Sequence, residues 1–400
     1  MSFNIYLLLI INLLLIITCI YILKGSFTRI YLSGILFVTF LIIYNSILSD
    51  FSSLNINSLL FVTISNTLIF LTSIFLSSNK TLFIQKNYEL DKANIYRFYL
   101  LSICSLFVLY LGIGSLDKIM ESWIEVKDEL QAQNFYRSLS SIFFFLSLSE
   151  LRKLVIDHKP IKYLLPGILI LILFILIIRV KMFIIPFLLI YIIPSKKNID
   201  FKQILKASII FPIIYLSVMF FRWSGDYNTF SIDKVGIIFN SVIEAGIERE
   251  MFYQYNAVFD HYFNLLSNPD IGGSYLKFIT EPFVRIFNLE SFPNPMYKYH
   301  MISNNYVMIQ GGSAHPSIYG DSYASFGLFG CLIPSLFLIF TSFFAEKTKN
   351  QKNSLLFVGY ALGIALIIRG SSYYGMLYFT IILLLDCILN IFTKIRIHEK

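Results

Sequence analysis

One histidine sits in a stretch of small and kinked residues, Gly311-Gly312-Ser313-Ala314-His315-Pro316-Ser317, and a carboxylate follows at Asp321. Two glycines let a backbone turn or approach a ligand closely. Pro316 suits the first turn of a helix, which places His315 at or near the N-cap. There the positive end of the helix dipole disfavours a protonated imidazole. A neutral imidazole can accept a proton, and that is the chemistry His315 offers. Far away in sequence, Arg179 and Lys181 flank the tip of a tight apolar hairpin. Two cations near lipid depth normally mark a polar partner, so they form a candidate anion site; snorkelling to lipid phosphates is the competing reading. Arg249, Tyr253 and Asn256 recur at spacings of four and three, hence on one helical face. Glu281 and Arg285 are four apart and able to pair on a helix.

The elements that must position these groups are apolar helices. Hydrophobic residues make up 56% of the 400-residue chain and charged residues 14%. Mean hydropathy is +0.71, outside the soluble range. A helix of about 20 apolar residues matches a hydrocarbon layer roughly 30 Å thick, and residues 3–23 form such a run without a charge. Eleven runs qualify: 3–23, 30–48, 58–76, 97–113, 136–150, 163–178, 182–194, 207–221, 323–344, 354–368 and 375–392. The fold expected is all-α, one transmembrane helical bundle over residues 1–400. A large and mostly helical insertion, residues 222–321, falls between the eighth and ninth spans.

Alternating the loops between two sides puts 20 of the 32 Lys and Arg residues on one side, all in short loops or the C-terminal tail. Positive charge in short loops marks the cytoplasmic face. The N-terminus and the insertion are then outside and the C-terminus inside. The net charge of +8 thus reflects orientation, and no nucleic-acid partner is implied. The first span lacks a basic leader and a small-x-small cleavage site, so it reads as an uncleaved anchor. Cys19, Cys104, Cys331 and Cys387 all fall in spans, which argues against a disulfide framework in the insertion.

Residues 115–137 read as a surface helix, with Leu116, Ile119, Trp123, Val126 and Leu130 on its apolar face. The hairpin that carries Arg179 and Lys181 has arms of only 16 and 13 residues, short of a full bilayer at about 1.5 Å per residue. The insertion carries ten acidic and six basic residues. Its helical patterns run from Ile232 to Leu266 and from Ser274 to Phe287. Tyr297, Tyr299, Asn304, Asn305 and Tyr306 follow. Aromatic faces with amide side chains suit sugar rings, although AT-rich coding also yields Tyr and Asn. Gly320, Ala324, Gly327 and Gly330 permit close helix packing.

With these features together, the chain resembles the oligosaccharide repeat-unit polymerases of bacterial surface polysaccharides (Wzy type) and their relatives, the O-antigen ligases. The resemblance covers the whole chain as architecture. Its most specific part is Gly311-Gly312, Pro316, Asp321, Tyr323 and Phe326-Gly327, matching a diffuse polymerase pattern. Ligases carry His followed by Asn, Ser or Gln, nine residues, then Gly-x-x-Gly. Here Pro316 follows His315 and ten residues precede Gly327-x-x-Gly330, which favours the polymerase branch. An external Arg on a paired hairpin also recurs in these families, and Arg179 fits it.

The resemblance implies glycosyl transfer on the outer face of the bacterial cytoplasmic membrane. Donor and acceptor are oligosaccharides linked to undecaprenyl pyrophosphate. His315 is the implied base, and Arg179, Lys181, Arg249 and Arg285 are candidate phosphate ligands. Tyr253 belongs to the substrate-binding set. Asp321 has three readings: orienting His315, binding a sugar hydroxyl, or capping a helix. No Asp-x-Asp or metal-ligand cluster occurs in the insertion, so metal-independent transfer without a cofactor is expected. Membrane lipids and a chain-length regulator are further implied partners. A lipid-dependent ligase and a flippase or other transporter are the competing classes. Transporters usually place ionisable groups at mid-membrane, and Asp386 is the one clear mid-span charge among the eleven runs.

Overall fold

The structure, a computed structural model, describes residues 2–23, 25–48, 56–78, 94–114, 134–178, 183–192, 316–345 and 354–398, with Ile214, Ser217, Tyr255, Asn256, Val258, Phe259 and Tyr275. Every regular element among them is helical. In chain order these are α1 (Ser2–Ile22), α2 (Ser26–Leu48), α3 (Ile56–Ser78), α4 (Ile95–Ile113), α5 (Asn134–Ile156), α6 (Ile161–Ile178), α7 (Ile184–Ile192), α8 (Ser317–Phe326), a 3₁₀ segment (Gly327–Leu332), α9 (Ile333–Phe340), a wide turn (Thr341–Ala345), α10 (Ser354–Arg369) and α11 (Ser372–His398). Among the described residues, six stretches are long and apolar enough to cross a membrane: Phe27–Tyr44, Asn57–Ser78, Ile95–Ile113, Ile161–Ile178, Ser317–Phe343 and Ser372–Leu389. Leu7–Ile22 and Ser354–Arg369 are shorter apolar helices.

Side-chain placement reinforces the membrane reading. Ile10, Leu14, Leu71 and Phe75 are exposed, whereas Asn12, Thr39, Ser65, Asn66 and Ser73 are buried. Water would favour the reverse. In lipid, polar side chains turn inward to hydrogen-bond between helices.

The chain divides into two compact units. The first comprises Met1–Gln85, Ala245–Lys347 and Gly363–Phe379. In it α1 packs on α2 and α3, and α9 packs on α3. The second comprises Lys86–Glu244, Thr348–Leu362 and Thr380–Lys400. Here α4 packs on α5 and α6, and α5 packs on α7. Asn94 caps α4 by accepting from Tyr96 N (2.9 Å) and Arg97 N (3.3 Å), satisfying N–H groups that have no partner within the helix.

Several sequence-derived boundaries shift. The ninth span starts at Ser317, not at 323, so residues 317–321 belong to a buried helix. That span is also interrupted. Gly327 adopts φ +58, and Gly330 lies so close to the Ser322 carbonyl that a side chain there would collide with it. These small residues thus fold one segment back on itself, whereas the sequence suggested packing between helices. Within the interruption Gly330 is buried, whereas Leu328 and Phe329 are exposed. Arg152 and Lys153, assigned to a loop from sequence, lie in the last turns of α5. Arg152 is fully buried, with Cζ 3.8 Å from the centre of the Phe357 ring. The first hairpin arm, α6, extends over 18 residues and is long enough to cross, while α7 has nine. The surface helix expected over 115–137 lies outside the described residues up to 133; α5 begins at Asn134. All four cysteines are unpaired.

Candidate functional site

The site region is built where α8 begins. Pro316 occupies the cap position, so the helix starts at Ser317 and His315 precedes the cap by one residue. Ser317 has φ +66, a left-handed conformation uncommon for a residue with a Cβ. Such strain persists only where surrounding structure over-determines it. Ser317 is fully buried, and its neighbour is the turn between α10 and α11. A Cβ on Gly370 would lie 2.5 Å from Ser317 N and 2.6 Å from Ser317 O, so glycine permits this backbone contact.

The turn has a sequence logic. Gly370 N donates to Ile367 O and Ser371 N donates to Leu366 O, both at 2.9 Å. That pair is a Schellman motif, with glycine at the left-handed position just past the helix (φ +92). The next helix opens at once, with Gly375 N donating to Ser371 O at 2.9 Å. The donors at its start reach Asp321. Its Oδ2 accepts from Ser372 N at 3.2 Å and from the Ser372 hydroxyl. Asp321 is completely buried, and its carboxylate lies at the positive end of α11. It therefore caps a helix other than its own. The orienting and sugar-binding readings of Asp321 involve groups outside the described residues.

Two further contacts fix α8. On one side, Tyr319 OH donates to Asn66 Oδ1 (2.7 Å) and lies 3.0 Å from Thr39 Oγ1. Asn66 Nδ2 donates to Asn12 Oδ1, and Asn12 Nδ2 donates to Thr63 Oγ1, each at 2.8 Å. This buried ladder joins α1, α2, α3 and α8. On the other side sit residues from the insertion. The Tyr255 ring lies 3.5 Å from where a Cβ of Gly320 would stand, and its hydroxyl donates to Ser58 O at 2.7 Å. Phe259 stacks on Tyr323 with centroids 4.1 Å apart, and Phe61 meets both rings edge-on. Tyr275 packs near Phe326, at 5.5 Å. The helical residues Tyr255, Asn256, Val258, Phe259 and Tyr275 all fall in the stretches read as helical from sequence.

Asp321 is the one sequence-derived site residue within the described part. His315, Tyr253, Arg249 and Arg285 lie outside it, as do Arg179 and Lys181. By sequence, His315 is bonded to the Pro316 cap, and Arg179 follows the last residue of α6. Sequence reasoning passed over three features. The turn from Arg369 to Ser372 was legible in its Gly-Ser-Ser run, which combines a helix stop with a helix start. Arg369, the last residue of α10, has its Nε shielded from solvent. Asn256, noted only as sharing a face with Arg249 and Tyr253, is buried beside Tyr255. Among the described residues no three His, Cys, Asp or Glu side chains come together as a metal site.

Compared with family models, with curated proteins and with solved structures, the chain matches none. The fold and site define a class on their own: a helical membrane protein with a buried, strained polar junction at the start of α8.

Proposed function

We propose that the protein polymerises undecaprenyl-pyrophosphate-linked oligosaccharide repeat units into a surface polysaccharide, on the outer face of a bacterial cytoplasmic membrane. The reading includes eleven spans, an external N-terminus and a cytoplasmic C-terminus. It also makes residues 222–321 an external subdomain that carries much of the active site.

The observation that supports it best is the junction at Ser317. The most specific part of the Wzy-type resemblance, Gly311 to Gly330, coincides with the point where strain, a buried carboxylate and insertion side chains converge. Strained and polar junctions of this kind cluster at ligand and active sites. In the proposed reaction His315 takes the proton from an acceptor hydroxyl. The freed oxygen bonds to the anomeric carbon of the donor sugar as the bond from that carbon to the pyrophosphate oxygen breaks. Arg179, Lys181, Arg249 and Arg285 are the candidate groups for the departing pyrophosphate, whose charge rises as it leaves. Asp321 holds the start of α11 against α8 and thereby fixes the backbone that follows His315. Tyr253 is a candidate sugar contact.

The test is reconstitution of the purified chain with lipid-linked repeat units, reading glycan length on the lipid. A ladder of multiples is expected. His315→Ala and Arg179→Ala are expected to abolish it while folded protein persists. Full-length polymer from His315→Ala would remove the base assignment. Transfer of finished chains to a different acceptor, without chain growth, would favour the ligase reading.

A further inference from the structure

Asn256 is buried to 4% exposure, yet among the described residues neither its Nδ2 nor its Oδ1 has a hydrogen-bond partner. Buried carboxamides almost always have partners in native structures, and each exception calls for an explanation. Its surroundings make the exception specific. Asn256 follows Tyr255, whose ring rests on Gly320, the residue before Asp321. Three residues further on, Phe259 stacks on Tyr323 of the same helix. Tyr255 OH is anchored on Ser58 O. The backbone around Asn256 is thus held on both sides by packed rings and one hydrogen bond. The same junction holds a second buried polar atom of this kind, the hydroxyl of Ser371 beside Gly370.

We propose that the Asn256 carboxamide is a sugar-binding group, taking two neighbouring hydroxyls of a glycan ring. The chemistry selects this ligand class. A carboxamide presents N–H donors and a carbonyl acceptor side by side. A phosphate could use the donors but would be repelled by Oδ1. A cation could use Oδ1 but would leave the donors unpaired. Each sugar hydroxyl both donates and accepts, so a pair of adjacent hydroxyls satisfies both atoms at once. The assignment rests on the glycan reading of the same site and extends it to the residue that recognises the sugar.

The test uses Asn256→Leu, which keeps the approximate shape and removes the polarity, and Asn256→Ser, which fits the same space. Thermal unfolding of the glycan-free full-length chain is measured first. Binding is then measured with two probes, the lipid-linked repeat unit and undecaprenyl pyrophosphate without sugar. N256L is expected to unfold at a temperature no lower than the parent, because an uncompensated polar pair has been replaced by an apolar group. Both variants are expected to bind the lipid-linked repeat unit about tenfold to a hundredfold more weakly and the sugar-free lipid equally well. A destabilised or misfolded N256L together with unchanged glycan affinity in N256S overturns the proposal, since the amide is then structural. Undiminished affinity in both variants overturns it too, leaving water as the group's partner. In either case the parent chain still polymerises and still prefers the glycosylated lipid. A parent chain that binds both lipids equally and makes no polymer removes the glycan reading itself.

Discussion

The two units solve the same problem, joining apolar helices, with different materials. In the first, a ladder of Asn12, Thr63, Asn66, Tyr319 and Thr39 runs through the interior, and Asp321 caps α11 from α8. In the second, the interior of α5, α6 and the start of α7 is a stack of rings. Phe144 lies parallel to Phe174 at 4.7 Å and to Phe183 at 5.3 Å, with Phe145 edge-on to Phe144 and Phe183. Towards the end of α5, Glu150 pairs with Lys153 at 3.0 Å and with Arg97 at 3.7 Å. Between α4 and α6 runs an apolar groove of about 310 Å³, lined by residues such as Ile103, Phe107, Ile170 and Leu173. Ring stacking tolerates small displacements, because dispersion is spread over many weak contacts. Hydrogen bonds with no water to replace them fix one register and one rotation. The polar unit is therefore the one whose helices are fixed in register and rotation.

The sharpest way to break this contrast uses two glycines with positive φ. Gly370 (φ +92) sits against the Ser317 backbone, whereas Gly114 (φ +86), which ends α4, has nothing among the described residues within 4 Å of where a Cβ would be. Both substitutions to alanine force a residue with a Cβ into a left-handed conformation, costing roughly 1–2 kcal/mol. Only Gly370→Ala adds a backbone collision, and overpacking contributes about 1–3 kcal/mol more. G370A is expected to lower the unfolding temperature of the purified protein markedly and to abolish glycan chain growth. G114A is expected to lower that temperature slightly and to leave chain growth intact. Equal losses would mean that the α10–α11 turn is no more constrained than a free helix end.

How much of this contrast was readable in the chain follows from the range of each interaction. The helices were legible because an apolar run of about 20 residues is a local property, and six stretches among the described residues are long and apolar enough to cross a membrane. The Gly370 stop was legible for the same reason. The end of α5 shows the limit of that rule: His158 takes the left-handed position there with φ +55, and no glycine marks it. Asp321 was legible as a functional candidate, but its partner Ser372 lies 51 residues away, and no local pattern connects them. Strain at Ser317 was invisible, because serine carries no signal for positive φ. Burial of Asn256 depends on Tyr255 finding Ser58, almost 200 residues distant in the chain.

A pair of carboxylates gives the next, smaller comparison. Asp321→Ala leaves the Ser372 N–H and hydroxyl without the acceptor they now share, deep in the protein. Leaving a buried donor unpaired costs about 1–3 kcal/mol. Glu150 is nearly as buried, but both of its partners are cations that keep some contact with solvent, Lys153 at 3.0 Å (15% exposed) and Arg97 at 3.7 Å (half exposed), so water can reach them once the carboxylate is gone. For Glu150→Ala the expected loss is below about 1 kcal/mol. Chemical denaturation in a fixed detergent measures both. Asp321→Asn refines the result, since it keeps an acceptor oxygen but removes the charge at the start of α11. It is expected to fall between the parent and Asp321→Ala. A loss for Glu150→Ala as large as for Asp321→Ala would show that charge burial alone sets the scale.

The smallest effect separates the two kinds of interhelical hydrogen bond. Ser102 and Ser147 join α4 to α5 through hydroxyls 2.6 Å apart, but Ser102 also donates to its own helix, at Phe98 O. Ser102→Ala removes an interaction of the usual size inside membranes, about 0.6 kcal/mol. The Tyr319 hydroxyl instead donates to Asn66 and contacts Thr39, so it links α8 to two other helices. Tyr319→Phe keeps the ring and deletes both links, and its expected cost lies near the upper end of that range, about 1.7 kcal/mol. The more telling readout is functional. Tyr319 precedes Asp321 by two residues on the helix that follows His315-Pro316, so loosening its anchor frees α8 to rotate. A several-fold loss of chain growth is expected for Tyr319→Phe, with no change for Ser102→Ala at matched stability. If Asn66→Leu is added to Tyr319→Phe, the second change should cost less than Asn66→Leu alone, because the bond it breaks is already gone. Strict additivity would show that the ladder contributes nothing as a unit.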